Sequence, residues 1–180
     1  METKDFERFV ARQQKTSADT KIDWAQVRKE WIQALNSLHV KIGGFLKDYT
    51  EAGSISYSFT EIELNEPELG TYLAKRMDIN IGRQHISLVP IGTLLIGCKG
   101  RVDAEGPMGL AQILLVSEQA KSAADLIRVT VSVGGKLPPS SPEQKVTMWA
   151  WKILTKTAER RFVDLTKDSF FDLLMEVANA

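Results

Sequence analysis

From Trp24 to Tyr49 the apolar residues Trp24, Val27, Trp31, Leu35, Leu38, Ile42, Phe45 and Tyr49 recur at steps of three or four. Turns of 3.6 residues put such a series on one side of a helix, whereas a strand would scatter it over two faces. The ends of this helix are marked as well. Asp23 is placed to accept from the free amides of the first turn, and Gln26, three residues on, to reach back. Ile22 and Val27 flank the start as a hydrophobic staple, and Gly53 suits a left-handed cap after the last turn. A helix over 23–50 would be about 40 Å long. Gly43 and Gly44 inside it cost on the order of 1 kcal/mol each relative to alanine, and they mark either a close neighbour or a break.

After Gly53 the period changes from 3.6 to two. Ile55, Tyr57 and Phe59 alternate with Ser56, Ser58 and Thr60, while Ile62 and Leu64 fall on the opposite parity, which predicts a bulge or turn near Thr60-Glu61. Further strands are expected at 77–82, 85–90, 93–104, 109–117, 126–133, 146–155 and 160–164. Glycine and proline punctuate them as in successive antiparallel hairpins, and 134–143 reads as the longest loop. Leu94, Ile96, Cys98 and Val102 are expected to share one face, and the strand 109–117, apolar on both parities, to lie centrally or have its outer face covered. Thr166 can cap a closing helix, with Leu165 stapled to Phe170 and a buried face of Phe170, Phe171, Leu174, Val177 and Ala178.

Helix, then many strands, then helix is the order of an α+β fold. The expected architecture is a long N-terminal amphipathic helix and a C-terminal helix packed on one face of a mostly antiparallel, multi-stranded meander sheet. Residues 1–21 read as a short helix and linker, and 22–180 as a single α+β domain.

A formal net charge of zero gives the molecule no overall bias toward DNA, RNA or an anionic membrane, so nucleic acid is not a favoured partner. No apolar run approaches the roughly 18–20 residues that span a bilayer, so no membrane is expected either. Cys98 is the only cysteine, which excludes an intramolecular disulfide and a thiolate cluster. The first residues carry early acids and no apolar signal core, and the expected address is cytoplasmic. No nucleophile elbow, zinc spacing, dinucleotide fingerprint or calcium loop is spelled out, so neither a metal nor a cofactor is expected.

The candidate sites are few. His85, Lys99, Arg101 and Arg128 could meet on the polar face of the sheet and bind an anion, although Asp103 beside Arg101 weakens the set. Glu61, Glu63, Glu66 and Glu68 around Pro67 read as a solvated run that guards a strand edge. Asp125 with Glu143 and Lys145 matches the acid-x-lysine element of metal-dependent nucleases and gives a catalytic alternative. Trp31 belongs either to the core or, if the helix stripe is wider than the sheet can cover, to an interface. The reading is a non-enzymatic macromolecular interaction module of the accessory, adaptor, chaperone-like or inhibitory kind, with a protein partner or self-association. The alternatives are a carrier of a small apolar ligand in a helix-on-sheet cavity, and a metal-dependent phosphodiesterase or nuclease.

Overall fold

A computed structural model describes residues 5–8, 10, 22–93, 97–126 and 148–178. Residues 5–8 and 10 are helical. Helix α1 spans Trp24–Glu51. Seven strands follow: β1 Ile55–Glu66, β2 Gly70–Ile81, β3 Gln84–Gly92, β4 Cys98–Gly106, β5 Gly109–Ser117, β6 Trp149–Leu154 and β7 Phe162–Asp164. Helix α2, Lys167–Ala178, closes the described chain. The strands form one antiparallel sheet in the order of the sequence, a meander, so the expected α+β class holds. Both helices share one core cluster with the inner face of the sheet, through Trp31, Leu38, Ile42, Met77, Ile86, Val102, Phe170 and Leu173 among others.

The ends of α1 form as their residues dictate. Asp23 Oδ1 accepts from the Gln26 amide at 3.1 Å, whereas the Gln26 side chain turns forward to Glu30 rather than back to the cap. At the other end the Ser54 amide reaches the Tyr49 carbonyl and the Gly53 amide the Thr50 carbonyl. This paired closure requires Gly53 at φ +75°, where a side chain would be strained. The helix runs unbroken through Gly43-Gly44, because Gly43 admits the Tyr57 ring of β1.

The sheet coils around α1. Trp31 lies on β4 and meets Trp151 of β6 at 6.2 Å between ring centroids, while His39 meets Phe59 of β1 at 5.1 Å. In a flat sheet β1 and β6 would be about 24 Å apart. A single helix touches both by crossing a strongly twisted sheet diagonally. The last turns of α1 then pack on α2, with Phe45 against Phe170 and Tyr49 edge-on to Phe171.

Three details depart from the sequence expectations. First, β1 pairs with β2 without a shift from Ile55↔Ile81 to Glu66↔Gly70, so no bulge interrupts Thr60-Glu61. The change of parity comes from twist. β2 pairs with β3 only over Met77–Ile81, which leaves the far half of the β1–β2 hairpin a two-stranded ribbon, and such ribbons twist more than sheets. Ile55, Met77 and Ile79 are therefore buried on one face, and Tyr72, Ala74 and Glu66 on the other. Second, β2 begins at Gly70 rather than 77. Leu73-Ala74-Lys75-Arg76 are helix-favouring residues whose extended form is imposed by β1.

Third, the register of β4 slips between Cys98 and Gly100. The extra residue reverses the parity, so Val102 faces the helices while Cys98 joins Leu114, Val116, Ala120 and Leu154 on the outer face. The segment after β5, with a 3-10 turn at Ala123–Leu126, covers that second cluster. Lys152 holds the segment down by donating to the Glu118 and Ala120 carbonyls at 2.7 and 2.9 Å. This covering accounts for the two-sided apolar sequence of β5. The expected strand 126–133 and loop 134–143 lie outside the described residues, save Leu126, which closes the 3-10 turn.

Gly100 has the least room of the described glycines: a Cβ there would stand 2.1 Å from the Trp31 ring. Gly100→Ala is expected to lower unfolding free energy in urea by about 2–3 kcal/mol through overpacking, with part of that loss restored by adding Trp31→Leu.

Candidate functional site

The outer face of β2–β4 carries a polar network. Asp78, buried, accepts from Thr60 Oγ1 at 2.9 Å, Ser87 Oγ at 2.7 Å and Arg76 Nη2 at 3.1 Å. Burial works to raise the pKa of this carboxyl. The hydrogen bonds from Arg76, Ser87 and Thr60, with the charge of Arg76, outweigh it and hold the carboxyl below the usual carboxylate range. His85 lies beside this group, with Nδ1 2.8 Å from Asn80 Oδ1 and Nε2 3.2 Å from Ser87 Oγ. One strand further, Arg101 grips the buried Asp103 carboxylate with two bonds of 2.7 Å.

Of the four residues expected to form an anion site, the three that are described, His85, Lys99 and Arg101, are divided between two faces of the sheet. His85 and Arg101 share the outer face, each engaged by its neighbours. The slip at Cys98/Gly100 turns Lys99 to the helix side, 3.6 Å from the Glu30 carboxylate and 4.9 Å above the Trp149 ring. Arg128 lies outside the described residues. Trp31 is 2 % exposed and belongs to the core rather than to an exposed interface, because Gly100 leaves room for its ring.

Asp125 is exposed and accepts the Lys121 and Ser122 amides at 2.8 and 2.9 Å, which pins the 3-10 turn. Glu143 and Lys145 lie outside the described residues. Burial pushes the Cys98 thiol up, as suits a packing residue. Within the acidic run, Glu61 and Glu63 are exposed but Glu66 is buried, accepting from Tyr72 Oη and from the Thr93 amide and hydroxyl at 2.9 Å each. It ties the tip of the β1–β2 ribbon to the end of β3.

The two edges of the sheet differ. At β7 the Phe162 amide donates to the Lys121 carbonyl and the Ala123 amide to the Arg160 carbonyl, while Ser169 Oγ donates to the Asp164 carbonyl. The chain itself closes that edge. At the other side, among the described residues, β1 pairs only with β2 along all 12 of its residues. Its helix-side residues Tyr57 and Phe59 are 37 % and 45 % exposed and stand edge-to-face at 5.8 Å. Val40 on α1 is 77 % exposed and follows His39, the residue against which Phe59 packs. The aromatic residues of β1 were visible in the sequence. That they lie on an open edge was not, because the order of strands fixes which edge is open.

Beneath this seam His39 is buried, and its Nε2 has no hydrogen-bond partner among the described residues. Burial, helped by the Lys75 charge, lowers its pKa to about 4. Away from the seam, two open recesses of about 380 and 460 Å³ flank the β6–β7 turn. The larger is floored by Ile153, Val163 and Leu173 and rimmed by Lys156, Asp172 and Glu176. No family model matches the chain, and neither the curated proteins nor the solved structures give a significant match.

Two outcomes follow from these groups. The unfolded chain protonates a histidine near pH 6.5, before the folded one does near 4. Stability from neutral His39 is therefore full above pH 6.5 and declines by about 3 kcal/mol as pH falls to 4. Urea titrations of wild type minus His39→Leu should show that slope; a constant difference across the range would remove it. Asp78→Asn should cost about 2 kcal/mol at pH 7, less than a fully buried pair because Arg76 is one-third exposed. The deficit should shrink as pH falls through the lowered native value, where wild-type Asp78 itself becomes neutral.

Proposed function

We propose that the protein is a non-enzymatic interaction module, acting in the cytoplasm, that docks a protein strand along the open edge of β1. The observation that carries this reading is the contrast between the edges. The chain caps β7 with its own backbone and side chains, whereas among the described residues the outer edge of β1 has no strand beside it and two aromatic rings flank it. An exposed edge is a template for another chain, and its hazard is normally blunted by charge, proline or a bulge. Glu61 and Glu63 blunt only the far half of β1; the half from Ile55 to Thr60 carries no charge. In strand addition main-chain hydrogen bonds supply affinity, and alternate side chains, here Tyr57 and Phe59, supply the anchors.

The engaged state of the outer-face charges supports the same reading over an anion or nucleic-acid surface. Arg76 and Arg101 already serve Asp78 and Asp103.

Phe59→Lys tests the edge directly, because it removes one ring anchor and sets a charge beside the edge strand, which disfavours strand addition. In complexes recovered from the native host, the amides of Ile55–Glu61 should exchange more slowly than in the isolated monomer. The variant should bind at least about tenfold more weakly. Its thermal midpoint should fall by only about 3 °C, as expected for an aromatic contact worth about 1 kcal/mol. Undiminished binding by the variant, or protection confined to other elements, would refute the docking edge.

A further inference from the structure

We infer that the strand received by β1 is β1 of a second copy, antiparallel about a two-fold axis through Ser58. The inference rests on β1 being the docking edge. Residue classes are symmetric about that position: aromatic Tyr57 and Phe59, hydroxylic Ser56 and Thr60. With Ser58 opposite the partner's Ser58, Tyr57 faces the partner's Phe59 and Ser56 faces the partner's Thr60. Ile55 then covers the stem of the partner's Glu61. Directly opposed residues of antiparallel strands lie on one face. Four rings would form a continuous patch on the helix side and the hydroxyls a row on the outer side, both favourable cross-strand pairings.

Charge selects the same register. Six residue steps separate Glu61 from the partner's Glu61, roughly 20 Å, well beyond a Debye length of about 8 Å. A two-fold at Glu61 would place like carboxylates face to face, which is destabilising. The zero net charge of the chain adds no repulsion between copies. Closure follows from the other edge. With β7 capped, a pair joined at β1 presents no second open edge among the described residues, so the assembly stops at two chains instead of growing into a filament. A paired segment of seven residues, Ile55 to Glu61, is a small interface, and the dimer is expected to dissociate in the micromolar range.

Cysteine cross-linking reads the register. Across the two-fold the Ser58 Cα atoms would be about 4.5–5.5 Å apart, within disulfide reach, whereas those of Ser56 would be about 13 Å apart and outside it. In a Cys98→Ala background under mild oxidation, Ser58→Cys should form covalent dimers at least about tenfold faster than Ser56→Cys. Light scattering of the unmodified chain at about 100 µM should give twice 20.1 kDa, and Phe59→Lys should return it to 20.1 kDa. Equal cross-linking of the two cysteine variants, or a monomeric mass up to that concentration, overturns self-pairing. If the monomer's β1 amides are then protected by a different protein, docking at the edge stands and only the second copy falls. If they exchange freely in every complex, both readings fall.

Discussion

The fold turns on one contact: the indole of Trp31 seated on the bare backbone of Gly100. It fixes the start of α1 over the middle of the sheet, because any side chain at that point of β4 would overlap the ring. The register slip just before Gly100 belongs to the same arrangement. It brings a residue without a side chain beneath the helix, sends Cys98 to the outer cluster and turns Lys99 toward Glu30 and Trp149. With its first half held over β4 and β6, α1 must cross the sheet to reach β1, and the twist of the sheet lets it stay in contact throughout. Gly43 then receives Tyr57, and His39 meets Phe59.

Polar chemistry follows the same economy of space. Six polar or charged residues are buried among those described, and the charged ones have local partners: Asp78 with Arg76, Asp103 with Arg101, Lys152 with Asp164 and two carbonyls, and Glu66 with Tyr72 and Thr93. Each pairing satisfies a group that would otherwise lose hydration without compensation. Several also join elements distant in the chain: Lys152 secures the covering segment, and Glu66 ties the twisted ribbon to β3. These charges are structural connectors on the outer face, while the uncommitted surface of most interest is the uncharged half of an edge.

The capped β7 and the open β1 express a difference in how the chain protects its backbone. At β7 the segment 121–123 runs alongside, and Ser169 of α2 fills the next position. Along β1 the aromatic residues are half covered by α1, which shields one face and leaves the hydrogen-bonding edge unused by the described chain. A strand added there would gain both main-chain bonds and ring contacts, which is why the functional reading centres on it.

Local spacing alone determined a good deal. The stripe from Trp24 to Tyr49, the cap at Asp23, the closure at Gly53 and the alternation of Ile55 to Phe59 follow from short-range geometry, and they identify the helix, the first strand and the α+β class. Tertiary structure decided what depends on neighbours remote in sequence. The slip at Cys98/Gly100 separated Lys99 from Arg101; the bare Gly100 backbone made Trp31 core; Thr93 drew Glu66 inside; and the strand order with its covering segment closed β7 and, among the described residues, left β1 open. A residue's own face and its nearest turns are local properties, but which face is covered, which charge is paired and which edge is free are properties of the packed sheet, set by contacts that no local pattern encodes.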